Sequence, residues 1–384
     1  MSTTSYWLAE PREPLVSTTT SGPVDVVVVG GGVTGCACAL RLAERGLRVR
    51  LYEAREVGGG ASGRNGGFAL RGGATRYVRA REAMGADRAQ RLWKLSERAL
   101  DAIEALAGDE LRRVGSLRLA VDADERYALE AEHEALRTDG FACEWVDELP
   151  APLDRLSHGA LLHPCDGALH PARWIRRLAG RAAAAGAQIV EGVRVDVDAL
   201  EADAIVVAVD GLTATLLPEL ERLIVPVRGQ MLATEPLTKR LYDRPHYARH
   251  GLDYWQQLPD GRLVVGGKRD LSEETEYTTV EATTTLVQEE LEAFAAELAG
   301  GSLPRVTHRW AGIWGETPDR LPLVGAVPGR RGVWVAAGYS GHGNVLGFAC
   351  GELVVNAVAG ERSPELDLFD PLRFVAAASE LERR

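Results

Sequence analysis

Between positions 24 and 53 the chain alternates apolar blocks with glycine. Asp25 is followed by four valines, 26–29, a β-branched block of the kind that suits a strand buried on both faces. Gly30-Gly31-Gly32-Val33-Thr34-Gly35 comes next, then a helical pattern over 36–45 closed by Gly46, and a strand over 47–53 marked by Val49 and Leu51. This is one βαβ unit. Farther on, Leu92, Leu95, Ala99, Ile103 and Leu106 recur at helical spacing, and a charged helix is predicted over 124–137. His170-Pro171 opens another helix, with Trp174, Ile175, Leu178 and Ala182 on one face. Positions 188–197 and 204–209 read as strands. From 224 the strands lengthen: 224–233, 252–258 and 262–266, the last two joined by the hairpin signal Pro259-Asp260-Gly261. A helix is expected over 280–298, then a strand over 332–337, a glycine loop over 338–343 and a helix over 344–358.

Composition changes the picture in three places. Glycine is in excess, 42 of 384 residues, or about 11 % against roughly 7 % in average proteins. Eight glycines crowd into positions 58–73, a stretch too long and irregular for a simple connection. The net charge of -11 disfavours a general nucleic-acid binder, which needs surplus Lys and Arg. Five cysteines without CxxC spacing suit a reduced, cytoplasmic setting. Residues 1–23 have no basic region leading into an apolar one, so they are not expected to act as a secretory signal, and the longest apolar run, 26–40, is too short and glycine-broken to span a bilayer. A membrane partner is therefore not expected. No histidine has a metal-ligand partner at useful spacing, so no metal site is expected.

The first chemistry is the dinucleotide fingerprint. Gly30-x-Gly32-x-x-Gly35 follows a strand and opens a helix, and Glu53 ends the second strand 18 residues after Gly35. Gly30 permits the tight turn, Gly32 the close approach of a pyrophosphate, and Gly35 the packing of helix on strand. The N–H groups around Val33 and Thr34 face the phosphates, and Glu53 accepts from a ribose hydroxyl, with Ala54 and Arg55 beside it. A carboxylate there repels a 2′-phosphate, which leaves NAD or FAD.

The glycine cluster Gly59-Gly60-Ala61-Ser62-Gly63-Arg64-Asn65-Gly66-Gly67 resembles a segment of the D-amino-acid oxidase superfamily of FAD-dependent oxidoreductases. Three more segments resemble that superfamily, in the same order along the chain: 260–267, Thr317-Pro318-Asp319-Arg320-Leu321-Pro322-Leu323-Val324-Gly325, and Gly338-Tyr339-Ser340-Gly341-His342-Gly343. Ser5-Tyr6-Trp7, Gly63 to Gly67 and Arg309-Trp310-Ala311-Gly312 look most like the gamma-glutamylputrescine oxidase group. Glycine oxidase and monomeric sarcosine oxidase are more distant in resemblance.

The resemblance implies an α/β fold (α+β overall), a Rossmann-like FAD domain with a second, mainly antiparallel-sheet substrate domain. It implies FAD held by Gly30, Gly32, Val33, Thr34, Gly35, Glu53, Ala54, Arg55, Ala61, Ser62, Arg64, Asn65, Gly66, Gly67, Val195, Ala208, Gly312, Gly338, Gly341, His342, Gly343 and Asn344. No cysteine lies between Cys165 and Cys350, so the covalent cysteinyl link of sarcosine oxidase is not expected and FAD is non-covalent. The implied reaction is hydride transfer from a C–H bond beside nitrogen onto the flavin, giving an imine that water hydrolyses. The helix start at Asn344, with His342 as a candidate positive charge, would face the reduced flavin.

Amino-acid oxidases of the family hold a substrate carboxylate with an Arg before the TPD-like segment or a Lys after the GHG turn. Here those neighbourhoods read Ile313-Trp314-Gly315-Glu316 and Asn344-Val345-Leu346. An amine substrate is therefore expected, with O2 or another acceptor taking the electrons and the oligomeric state left open. Tyr254, Trp255, Trp310 and Trp314 are the expected aromatic walls, through cation–π attraction. Glu316 is a candidate for facing a cationic end, and Lys268 for activating oxygen. The rival amino-acid or 2-hydroxy-acid oxidoreductase would need a carboxylate-pairing Arg, such as Arg249 or Arg262. An NAD dehydrogenase leaves the loop 58–73 unexplained. The expected FAD domain spans 20–80, 155–225 and 305–384, the substrate domain 81–154 and 226–304, and an N-terminal arm 1–19.

Overall fold

The four valines Val26–Val29 form a strand buried at every position. It pairs in parallel with Val49–Tyr52 on one side and Ala204–Val207 on the other. Gln188–Val190 and Val333–Ala337 continue the parallel pairing outward, and Leu323–Ala326 adds an antiparallel edge, six strands in all. Alternation along the strand sends Val26 and Val28 into a core with helices Val33–Glu44, Ala86–Ala107, Pro171–Ala184 and Gly343–Val358. Val27 and Val29 pack on the other face with Val207, Leu217, Ile224 and Val335. The computed structural model describes residues 3–12, 15 and 22–374. The rest of the expected arm, and 375–384 of the last expected cofactor segment, lie outside the described residues.

A second, mainly antiparallel sheet of eight strands forms a roof. Its order is Val306–Glu316, Val225–Pro236, Arg262–Gly267, Asp253–Gln257, His246–Ala248, Ser116–Leu119, Ala160–His163 and Glu144–Val146. Helix Thr285–Leu298 covers one face, burying Val287, Leu291, Ala295 and Leu298 against Leu232, Trp255 and Leu263. A small third sheet joins Phe68–Ala69, Gly167–Leu169 and Leu111–Arg112. Among the described residues, no helix is long and apolar enough to cross a membrane.

The structure corrects several expected boundaries. Ala160–His163 and Val306–Glu316, assigned by sequence to the cofactor segments, belong to the roof, because each pairs there along its length. The strand expected over 188–197 ends at Val190. The helix expected from 280 starts at Thr285. Roof strands of three or four residues, such as His246–Ala248 and Ser116–Leu119, are too short to show alternation and were not foreseen.

One buried ion pair ties the short helix Glu273–Glu276 to the roof. Arg228 donates from Nε to Glu276 Oε2 at 2.7 Å and from Nη2 to Oε1 at 3.0 Å, and Gln230 Nε2 donates to the same Oε1 at 3.1 Å. Both charged side chains are buried. Removing one partner strands the other's charge, so Glu276→Ala should cost about 3–5 kcal/mol of stability, measured by urea unfolding against wild type.

Candidate functional site

The turn between the first strand and first helix brings backbone to backbone. A Cβ on Gly35 would overlap the Gly30 carbonyl oxygen, and one on Gly30, whose φ is +112°, would overlap the Ala208 carbonyl oxygen. Only glycine fits at either place. Gly32 is the N-cap of helix Val33–Glu44 and has no capping side chain of its own. The neighbouring loop fills that role, because Ser62 Oγ accepts from Val33 N at 3.0 Å. Glu53 closes the turn from behind: Oε2 accepts from Gly31 N at 2.7 Å and Oε1 from Arg55 N at 2.8 Å.

The loop 58–67 is held by its own side chains and by the chain's N-terminal segment. Asn65 Nδ2 donates to the carbonyls of Ala61 and Ser62, and Asn65 Oδ1 accepts from Gly67 N at 2.8 Å. Asn65 also pairs with Asn344 at 3.0 Å, joining this loop to the start of the last helix. Arg64 donates to the carbonyls of Gly59, Thr3 and Ala311. Ser5 Oγ donates to Gly63 O at 2.7 Å and Trp7 Nε1 to Asn65 O at 2.8 Å. The arm is thus a strap across the loop, a role the sequence did not reveal.

These pieces border one cavity of about 310 Å³, within the size range of small-molecule sites. Of the expected cofactor residues, Gly32, Val33, Thr34, Ala61, Ser62, Arg64, Asn65, Gly66, Ala208, Gly312, Gly341, His342, Gly343 and Asn344 line it. Gly30, Gly35, Glu53, Gly67 and Gly338 stand behind that lining and shape the turns. Ala54 and Arg55 are exposed beside Glu53, Arg55 pairing with Glu281. Val195 is not at the cavity: the strand that was to carry it ends early, and it packs on the outer core.

The pattern of the DAO family, described as FAD dependent oxidoreductase, matches residues 25–357. The chain belongs to this family of FAD-dependent oxidoreductases. It is 28 % identical to a probable oxidoreductase OrdL of Rhizobium meliloti, over 93 % of this chain and 87 % of that one. It is also 28 % identical to gamma-glutamylputrescine oxidoreductase of Escherichia coli, over 94 % and 89 %. The structure resembles that of glycine oxidase from Geobacillus kaustophilus, with a TM-score of 0.74, 25 % identity and coverage of 92 % and 98 %. FAD is the cofactor of the DAO family. The residues here fit it: a glycine cradle, a helix N-terminus and two buried polar atoms without a protein partner, Arg76 Nη1 and His342 Nδ1, both on cavity-lining residues.

Strand register decides which expected aromatics reach the cavity. Tyr247 pairs with Tyr254 and His246 with Trp255 across adjacent strands. The first pair lines the cavity together with Phe68 and Trp314. The second pair faces the other way, so Trp255, 1 % exposed, stacks on His246 at 5.2 Å in the core. Trp310 also misses the cavity: the glycine loop seals it, its Nε1 donating to Arg64 O at 2.8 Å. Trp314 and Tyr254 have room because Gly229 and Gly266 lie beneath their rings, where a Cβ would overlap them. Phe68 and Tyr247 were missed by sequence, since strand register brings Tyr247 to Tyr254 and packing of the small third sheet against the roof brings Phe68 to both.

Charge placement differs from expectation too. His342 lines the cavity, but burial, with Arg118 and Arg320 nearby, pushes it down to about 4. It is neutral at neutral pH and supplies no positive charge. Lys268 is not at the cavity; it donates to Asp253 at 2.8 Å and lies over the Phe294 ring. Glu316 lines the cavity paired to Arg269 at 3.4 Å. Arg249 pairs with Asp253 and Asp270, and Arg262 with Asp260, both away from the cavity. The cations on its wall are instead Arg64, Arg76, Arg118, Arg269 and Arg320. Burial pushes the Tyr254 phenol up to about 12, so it remains protonated.

Gly35→Ala should purify without flavin absorbance, with FAD affinity reduced by more than about tenfold, ~1.4 kcal/mol, as read by fluorescence titration. Burial also pushes His246 down to about 4. The unfolded chain, with histidine near its ordinary ~6.5, then binds the proton more readily than the folded one. Stability is therefore lost as pH falls from about 6.5 to about 4. His246→Phe should make that slope shallower in thermal melts across the window, the remaining slope belonging to other histidines such as His342.

Proposed function

We propose that the chain oxidises the C–N bond of a primary or secondary amine. The carrying observation is the continuity of one cavity, from the glycine turn at Gly32 and Val33 to an aromatic wall of Phe68, Tyr247, Tyr254 and Trp314. Bound FAD supplies the hydride acceptor. The protein's part is to orient the amine and keep water away from the reacting carbon. The amine carbon loses a hydride and its nitrogen a proton, leaving an imine. Water then hydrolyses the imine to a carbonyl compound, releasing ammonia from a primary amine and a primary amine from a secondary one. The electrons pass on to O2, giving peroxide, or to another acceptor. Gamma-glutamylputrescine oxidoreductase and glycine oxidase among the relatives are consistent with oxidation beside nitrogen.

Non-covalent FAD is supported by the absence of cysteine from the cavity wall among the described residues. All five cysteines are free thiols, which fits a reducing cytoplasm. The acidic net charge argues against a nucleic-acid partner.

A second reading, that the amine also carries a carboxylate as amino acids do, is favoured by one specific observation. Arg269 Nη1 and Trp314 Nε1 are both buried donors without a partner. The Arg269 guanidinium sits 5.7 Å from the Trp314 ring centre. Buried donors call for an acceptor, and a carboxylate satisfies both. Cations absent from the usual segments are then replaced by one from the turn Arg269–Ser272 that follows strand Arg262–Gly267.

The test is peroxide release, or dye reduction under nitrogen, across polyamines, N-methyl amines and amino acids. Turnover of simple amines supports the first reading, turnover only of carboxylate-bearing amines the second, and no flavin reduction by any of them refutes both. Under the second reading Arg269→Gln should raise KM for carboxylate-bearing amines by ~10–100-fold, the worth of a charge-assisted hydrogen bond, and leave simple amines unaffected.

A further inference from the structure

One buried carboxylate on the cavity wall has no part in the reaction proposed above. Asp210 lies just beyond strand Ala204–Val207, in a left-handed backbone conformation with φ of 45°. Its Oδ1 accepts from Gly338 N at 2.8 Å and Tyr339 N at 3.4 Å, and its Oδ2 from Gly315 N at 3.0 Å. Gly315 belongs to the long roof strand Val306–Glu316, whereas Gly338 and Tyr339 begin the turn that runs into helix Gly343–Val358. Two further bonds join the same segments: Ser340 N donates to Gly315 O at 2.8 Å, and Thr317 N to Ser340 Oγ at 3.3 Å.

We propose that Asp210 is a positioning residue that clamps the 338–344 turn to the roof strand, so that the loop bordering FAD and the wall facing substrate respond as one unit. Its negative charge is part of the electrostatics that the cofactor meets. The inference rests on FAD occupying this cavity and not on which amine is oxidised.

The side-chain chemistry points specifically to a carboxylate. An apolar residue would leave three N–H groups unpaired. Asparagine offers one acceptor oxygen and turns its own N–H toward a backbone donor. Burying a charge is costly, and burial pushes this carboxyl up to about 6 in spite of the N–H donors around it. Packing alone would not retain such a group. Three convergent donors from two segments do require it.

The experiment compares Asp210→Asn and Asp210→Ala, each loaded with FAD. FAD affinity is read by fluorescence titration and the two-electron potential by dye equilibration. Asp210→Ala should weaken FAD binding by more than about tenfold, and Asp210→Asn by less. Asp210→Asn should also raise the potential, because a buried negative charge no longer opposes the added electrons. A merely structural residue would lower thermal stability without moving the potential. Wild-type potential in Asp210→Asn, or wild-type FAD affinity in Asp210→Ala, overturns the proposal. If neither variant folds, hydrogen exchange of the wild-type holoenzyme decides: the amides of Gly315, Gly338 and Tyr339 should show one common, high protection factor after correction for their intrinsic rates, and separate protection factors overturn it.

Discussion

Everything around the cavity depends on how closely the helix Val33–Glu44 passes over the end of the first strand. Gly35 rides on the Gly30 carbonyl and Gly30 on the Ala208 carbonyl, with no room for a Cβ in either contact. That closeness aims the free N–H groups of the helix start at the cavity, where phosphate is most favourably held. It also leaves the turn with donors that its own residues do not satisfy. Glu53 takes one from behind and Ser62 another from the side. The second glycine loop is therefore part of the helix cap as well as part of the cavity wall.

A loop rich in glycine loses much conformational freedom on ordering, so the order at 58–67 has to be supplied by other contacts. Asn65 pairs with Asn344 across the cavity, Arg64 spans three carbonyls, and the segment around Ser5 and Trp7 closes over them. The last helix, the loop and the N-terminal strap share one hydrogen-bond network. Asp210 makes the corresponding connection on the roof side.

Electrostatically, the cavity is neither plainly basic nor plainly apolar. Five arginines line it, yet Arg269 is matched by Glu316, and Arg118 by Glu132 behind it. His342 is neutral through burial. The positive end of helix Gly343–Val358 is then the principal fixed charge contributed by the loop at this side of the cavity, and the unpaired arginine and indole N–H groups are left for whatever binds.

Much of this was legible in the residues. The valine block, the glycine turn and Glu53 specified the βαβ unit locally, because strand propensity, turn sterics and helix capping act within a few residues of one another. The four ordered motifs, read through their family resemblance, pointed to loops of which several border the cavity. The aromatic wall was not legible. Tyr254 and Trp255 are adjacent in sequence and equally aromatic, and only the pairing of Tyr247 with Tyr254 sends one to the cavity and the other to the core. Arg118 and Arg269 reach the cavity from segments with no signature of their own. Local sequence determined the shape of the glycine turn that borders the cavity, since that depends on backbone sterics. The substrate end was decided by tertiary structure, since strand register and burial set which side chains face the cavity and whether a histidine there carries charge.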